Sequence, residues 1–133
     1  MELASGGVRL LISMPPRMGK SELVSHWTPV WFLSLFPVKK FILVSYEATF
    51  AASWGRKARD TMLANEKALG VKVREDMQAA DNWELVGGGG MVTAGIGGPI
   101  TGRGGDVVVV DDPIKNWEEA NSLQVKENQR AWW

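Results

Sequence analysis

Three apolar runs stand out from the polar background of this chain: residues 8–14, residues 41–46 (Phe-Ile-Leu-Val-Ser-Tyr) and the four valines 107–110. The valine run has no polar alternation, so it reads as a strand buried on both faces, the pattern of a parallel sheet. Residues 41–46 share that character behind Lys39 and Lys40, and residues 8–14 form the first predicted strand by apolar content. Between these runs the period changes from two to nearly four. After Lys20, Leu23, Val24 and Trp27 mark a helix that meets Thr28-Pro29, where a cap residue followed by proline predicts a break and restart. Trp31, Phe32 and Leu35 continue the apolar face until Pro37. A second helix is expected over about 47–65, with Phe50, Trp54, Ala58 and Met62 on one stripe.

Residues 66–81 are polar and weakly patterned, and no element is predicted there. Two short strand-like runs, Asn82-Trp-Glu-Leu-Val and Met91-Val-Thr-Ala, flank glycines 87–90 and predict a hairpin with a flexible connection. The Gly-rich stretch 95–105 precedes a strand and opens no helix, so it reads as a loop into the valine strand. Residues 116–133 are helical in pattern, with Trp117, Ala120 and Leu123 or Gln124 on one side, and stop at Trp132-Trp133. No repeat and no interdomain linker appear.

The chemistry concentrates at two places. The run 8–14 ends in a loop, Pro15-Pro-Arg-Met-Gly-Lys-Ser21, which leads into a helix. That is the layout of a phosphate-binding loop. Backbone N–H groups of Pro16-Arg17-Met18-Gly19 and their neighbours (Pro16 itself has none) would wrap phosphates. Lys20 would supply a point charge, Ser21 would ligate Mg²⁺, and the helix N-terminus would face the anion. One departure is Met14 where the usual pattern has glycine, so the loop turns on Pro15-Pro16. A chance Gly-Lys-Ser at a helix start is the bland alternative. The second place is Asp111-Asp112-Pro113 after the valines, where open α/β sheets carry their ligands. Asp before Pro is also a good helix cap, but a cap accounts for one acid and not two.

The 133 residues bound the chain to one domain with a modest core, and 45% hydrophobic with 23% charged residues is an ordinary globular balance. Fifteen basic and fifteen acidic residues cancel, so a nucleic-acid contact needs a local patch. Arg56, Lys57 and Arg59 are such a cluster, for DNA or a neighbouring subunit's nucleotide, though a solvated helix face explains them as well. Arg103 is a further candidate for a phosphate or DNA contact. Cysteine is absent, and the lone His26 has no partner for a metal site and reads as a helix residue. No window reaches the roughly 20 apolar residues of a membrane span, and no secretory signal is visible, so a soluble intracellular protein is expected.

Taken together, the loop 15–22, Ser45-Tyr46 with the helix 50–59, Gly97-Gly-Pro-Ile-Thr-Gly-Arg-Gly104 and Val110-Asp-Asp-Pro-Ile-Lys-Asn116 resemble the large terminase subunit of tailed bacteriophages, the ATPase that drives genome packaging. The resemblance implies an α/β fold: a three-layer phosphate-loop NTPase core with a mostly parallel sheet, incomplete here. It implies ATP and Mg²⁺ as ligands, with Lys20 and Ser21 on phosphate and metal, Arg17 sensing the γ-phosphate, Asp111 holding Mg²⁺ and Asp112 at the catalytic carboxylate position, more often Glu in the family. The expected activity is ATP hydrolysis coupled to translocation of double-stranded DNA into a prohead. Expected partners are a portal protein, a small terminase subunit and further copies in a homo-oligomeric ring, in the bacterial host cytoplasm and without a membrane.

The family's upstream adenine-contacting element, its coupling motif and its nuclease domain have no counterpart in these residues, so the expected entity is a partial ATPase domain truncated at both ends. A helicase- or recombinase-type ATPase, or a non-catalytic remnant, are the alternatives. The strand expected between residues 8–14 and the valine strand would be missing, which predicts an exposed edge, marginal stability and self-association.

Overall fold

The computed structural model describes residues 10–11, 19–98 and 104–112. Within them lie four helical segments and five strands: α1 (Glu22–Trp27), α2 (Thr28–Leu35), β1 (Lys40–Ser45), α3 (Ala48–Ala64), α4 (Glu66–Leu69), β2 (Val73–Ala79), β3 (Asn82–Leu85), β4 (Gly90–Gly95) and β5 (Val107–Val110). The strands form one sheet in the order β2-β3-β4-β1-β5. β1 is parallel to β4 on one side and to β5 on the other, with Leu43 opposite both Thr93 and Val109. β3 is antiparallel to both β2 and β4. The fold is therefore α/β as expected, and the expected parallel sheet is met in part: the five-stranded sheet is mixed, parallel in the half that ends at Asp111 and antiparallel through β3.

β1 is central because five of its six residues are buried. Phe41 and Leu43 share one face with Met91, Trp83 and Val107, and α2 and α3 cover that face with Val30, Phe32, Leu33, Ala58 and Met62. Ile42 and Val44 point the other way and are buried too. Burying each such large side chain stabilises the fold by about 1.5–3 kcal/mol. The indole of Trp83, fully buried, donates to the Gly55 carbonyl at 3.0 Å, so its polar handle is satisfied.

α3 seats on the sheet through small residues. Ala51, Gly55, Ala58 and Met62 are buried, while Phe50 and Trp54, expected on the apolar stripe, lie half-buried on its flank. A Cβ on Gly55 would stand 2.2 Å from the Ala80 carbonyl oxygen, so only glycine lets helix and sheet approach so closely.

Three sequence expectations change. The helix does not break at Thr28-Pro29: α1 is wound as π-helix and runs straight into α2. Pro29 has no N–H to give the Ser25 carbonyl and its ring would crowd that carbonyl, whereas the wider turn lets the Thr28 N–H bond Leu23 instead. Residues 66–81 are not structureless, since they contain α4 and the edge strand β2. The glycine connection after β3 is pinned rather than loose, with the Gly89 N–H bonded to Pro37 O at 2.8 Å and the Gly90 N–H to Lys39 O at 3.1 Å. Of the strand expected at 8–14, only Leu10 and Leu11 are described; both are exposed and carry no strand. The helix expected at 116–133 lies outside the described residues.

Candidate functional site

The site is assembled where β5 ends. Asp111 continues the alternation of Val107 and Val109, so its side chain falls on the face that carries the helices. Its N–H still bonds Val44 O at 2.8 Å, which extends the ladder one residue past the strand and leaves the carboxylate almost fully buried, at 3% exposure. Asp112 turns away in the left-handed region, φ +49. Aspartate tolerates that conformation better than most residues, yet it remains a strained position of the kind found at binding sites. Two bonds hold it: the Tyr46 N–H and the Ser45 hydroxyl both donate to its carbonyl, at 3.0 and 3.3 Å. The end of β1 thus fixes the backbone that carries both acids.

Lys20 comes to them from the start of the helix. Its Nζ lies 3.3 Å from Asp112 Oδ1 and 3.4 Å from Asp111 Oδ1. Before it, Gly19 is left-handed (φ +79) with open space where a side chain would be. Helical winding begins at once, and the Leu23 N–H bonds Gly19 O at 3.0 Å. Burial works against the charge on Lys20, but Asp112 and then Asp111 outweigh it and hold the ammonium above its ordinary pKa. Lys20 is still 30% exposed, so an anion can reach it.

Of the residues expected at this site, Gly19, Lys20, Asp111 and Asp112 converge. Ser21 is half-buried and makes no side-chain hydrogen bond among the described residues. Pro16, Arg17 and Met18 lie outside the described residues, as does Arg103. The hydroxyl that does meet the strand's acid is Ser25, fully buried, which donates to Asp111 Oδ2 at 2.8 Å. Sequence reasoning passed over it because a serine inside an apolar helix carries no motif. Its one visible signal is Pro29 four residues on, which marks the turn that widens.

The group sets an accessible ammonium beside two carboxylates, which are hard oxygen donors, with the buried Ser25 hydroxyl behind Asp111. Such a set suits Mg²⁺, which binds one or two carboxylates and fills its shell with phosphate oxygens and water. No cluster of three or more metal-ligating side chains occurs among the described residues, so a cation here would need those outside ligands. The residues present fit a Mg²⁺–phosphate group.

Two other features singled out in the sequence lie apart from this group. Arg59 donates to the Gln78 carbonyl at 2.8 Å and pairs with Asp60, tying α3 to β2, while Arg56 is exposed and Lys57 lies over the Trp54 ring. His26 is buried, bridging Glu22 on its own segment and Thr61 of α3, 2.6 Å away. Glu22 is held below the usual carboxylate range, chiefly by its hydrogen bond with His26.

No family model, curated protein or solved structure matches the chain.

Proposed function

We propose that this chain carries the nucleotide site of an ATPase, in a phosphate-loop core of the type that drives double-stranded DNA into a prohead in the large terminase subunits it resembles. The observation that supports it is the meeting of Lys20 with both Asp111 and Asp112 at the end of a parallel strand, from opposite ends of the described sequence. Salt bridges alone are weak evidence of function. Here, however, the lysine follows a left-handed glycine and opens a helix, and the acids follow a parallel strand, the first of them buried, which is the division of labour phosphate-loop enzymes use.

In this reading Lys20 leaves the carboxylates for the phosphate oxygens when nucleotide arrives, which stabilises negative charge on the transferring group. Asp111, buried and anchored, is the carboxylate that faces the cation. Asp112, more exposed and backbone-fixed, accepts a hydrogen bond from the attacking water and so aligns it. Mg²⁺ carried in with ATP would neutralise charge on the β- and γ-phosphates. Arg17 is proposed as a second cation at the γ-phosphate. The coupling to DNA, the portal and small-subunit partners and the ring assembly rest on the resemblance.

Calorimetric titration with ATP in Mg²⁺ tests the site. The parent should bind, and Lys20→Ala should weaken binding roughly 100-fold, the value of one well-placed charged hydrogen bond set. Equal affinity in the two proteins overturns the assignment.

A further inference from the structure

We propose that Ser25 is the positioning residue for Asp111, the hydroxyl that turns one carboxylate oxygen inward and leaves the other for the cation side of the site. The inference rests on the nucleotide reading above and deepens it. In the sequence pattern, Ser21 is the hydroxyl that should work with the strand's acid. In the fold, Ser25 makes that bond, at 2.8 Å, and both partners are buried.

The geometry gives Asp111 two distinct oxygens. Oδ2 accepts from Ser25, while Oδ1 lies 3.4 Å from the Lys20 ammonium. A carboxylate with one oxygen held by an internal hydroxyl cannot rotate freely, so Oδ1 stays aimed where Lys20 now sits and where a phosphate-bound cation would come. Second groups of this kind orient metal ligands and change metal affinity by about 10–100-fold when removed.

Local winding explains why Ser25 takes this role. Pro29 forces the π-helical turn at Ser25, since its ring would meet the Ser25 carbonyl in an ordinary α-helix. The segment is also clamped from outside, because His26, the next residue, is tied to Thr61 of α3. Ser25 is therefore held from both sides, and its hydroxyl is directed at the end of β5.

The test measures ATP binding to the parent, Ser25→Ala, Ser25→Cys and Ser25→Thr across a range of Mg²⁺ and in EDTA. Ser25→Ala should raise the Mg²⁺ concentration needed for half-maximal support of ATP binding by about tenfold or more, with metal-free affinity unchanged. Ser25→Cys, similar in size but a weak donor, should show the same shift and serves if the alanine variant fails to fold. Ser25→Thr, which keeps a hydroxyl, should restore the parent's requirement. A merely structural role would move metal-free and metal-supported binding together. An unmoved Mg²⁺ requirement in a folded Ala or Cys variant, with normal ATP binding by the parent, overturns this inference alone. A parent that binds no ATP in either condition overturns the nucleotide reading first.

Discussion

Two lysines in this molecule each meet a carboxylate across the fold, and the contrast between them separates a site from a scaffold. Lys40 reaches Glu84 Oε1 at 3.0 Å, while Arg74 takes Oε2 of the same side chain at 2.8 Å. Arg74 is in turn paired with Asp76. Each oxygen of Glu84 thus has a cation at close range, and the cluster knits β1, β3 and β2 together. Lys20 sits between Asp111 and Asp112 at longer range, 3.4 and 3.3 Å, beside the open space around Gly19. One cluster is closed on itself. The other holds a half-buried cation, no more exposed than Lys40, at longer range between two acids of unequal burial, an arrangement that an incoming anion can displace. The difference is in saturation, not in charge count.

The sharpest way to break this comparison is to separate the two acids. In protein that hydrolyses ATP, Asp112→Asn should leave Mg–ATP binding near the parent's and cut turnover by about 10²–10⁴-fold, as loss of a water-aligning group does. Asp111→Asn should instead weaken Mg²⁺-supported binding. Binding titrations and turnover on both variants check this, and identical behaviour in binding would show that the acids act as one charged patch. Glu84→Gln, in the closed cluster, should change neither quantity.

A smaller effect locates stability away from the site. Gly55→Ala places a methyl 2.2 Å from the Ala80 carbonyl and 2.9 Å from Thr93 Cγ2, neither of which can give without moving sheet backbone or β4 packing. It should destabilise the fold by about 1–3 kcal/mol or more. Urea unfolding measures it, and a stability equal to the parent's would mean that α3 does not seat on the sheet as described. The same substitution should leave the separation of Lys20 from its acids unchanged in whatever fraction remains folded.

The legibility of the sequence divides along the same line. The strand at β1 and the hairpin of β3 with β4 could be read because a buried parallel strand is uninterruptedly apolar and the glycine run marks the turn. The valine run is a strand as expected but is not buried on both faces, since β5 lies at the edge of the described sheet with Val108 51% exposed. Asp111 and Asp112 could be read because two acids after such a strand have few structural explanations. β2 could not. Its sequence Val-Arg-Glu-Asp-Met-Gln-Ala buries only the first residue, and its pairing with β3 shifts register between Val73 and Gln78, so no period-two pattern survives. The α3 stripe could be read at Ala58 and Met62 but not in its first half, where Ala51 and Gly55 make the closest approach and Phe50 and Trp54 flank them. Ser25 carries no motif, and beyond the signal of Pro29 its placement follows π-winding, a period that a 3.6-residue search does not test.

The smallest expected effect concerns the closed cluster and its pH dependence. Glu84 is held below the usual carboxylate range, first by its hydrogen bond from Lys40 and then by Arg74. Its folded pKa therefore lies below its unfolded one, so the unfolded chain binds more protons in the interval between them. The stabilisation is complete above about pH 4.5, near the unfolded value, and is lost as pH falls through the lowered folded value. Glu84→Gln removes this contribution, which for a partly exposed cluster amounts to about 1 kcal/mol or less at neutral pH. Glu22 and Asp76 are shifted in the same direction, so parent and variant both weaken in acid, and only their difference isolates Glu84. Denaturant midpoints taken between pH 3 and 7 should converge at the acidic end and separate toward neutrality. A gap that stays constant with pH would mean that Glu84 contributes by packing alone, and the closed cluster would then hold β1 to β3 and β2 by shape and not by charge.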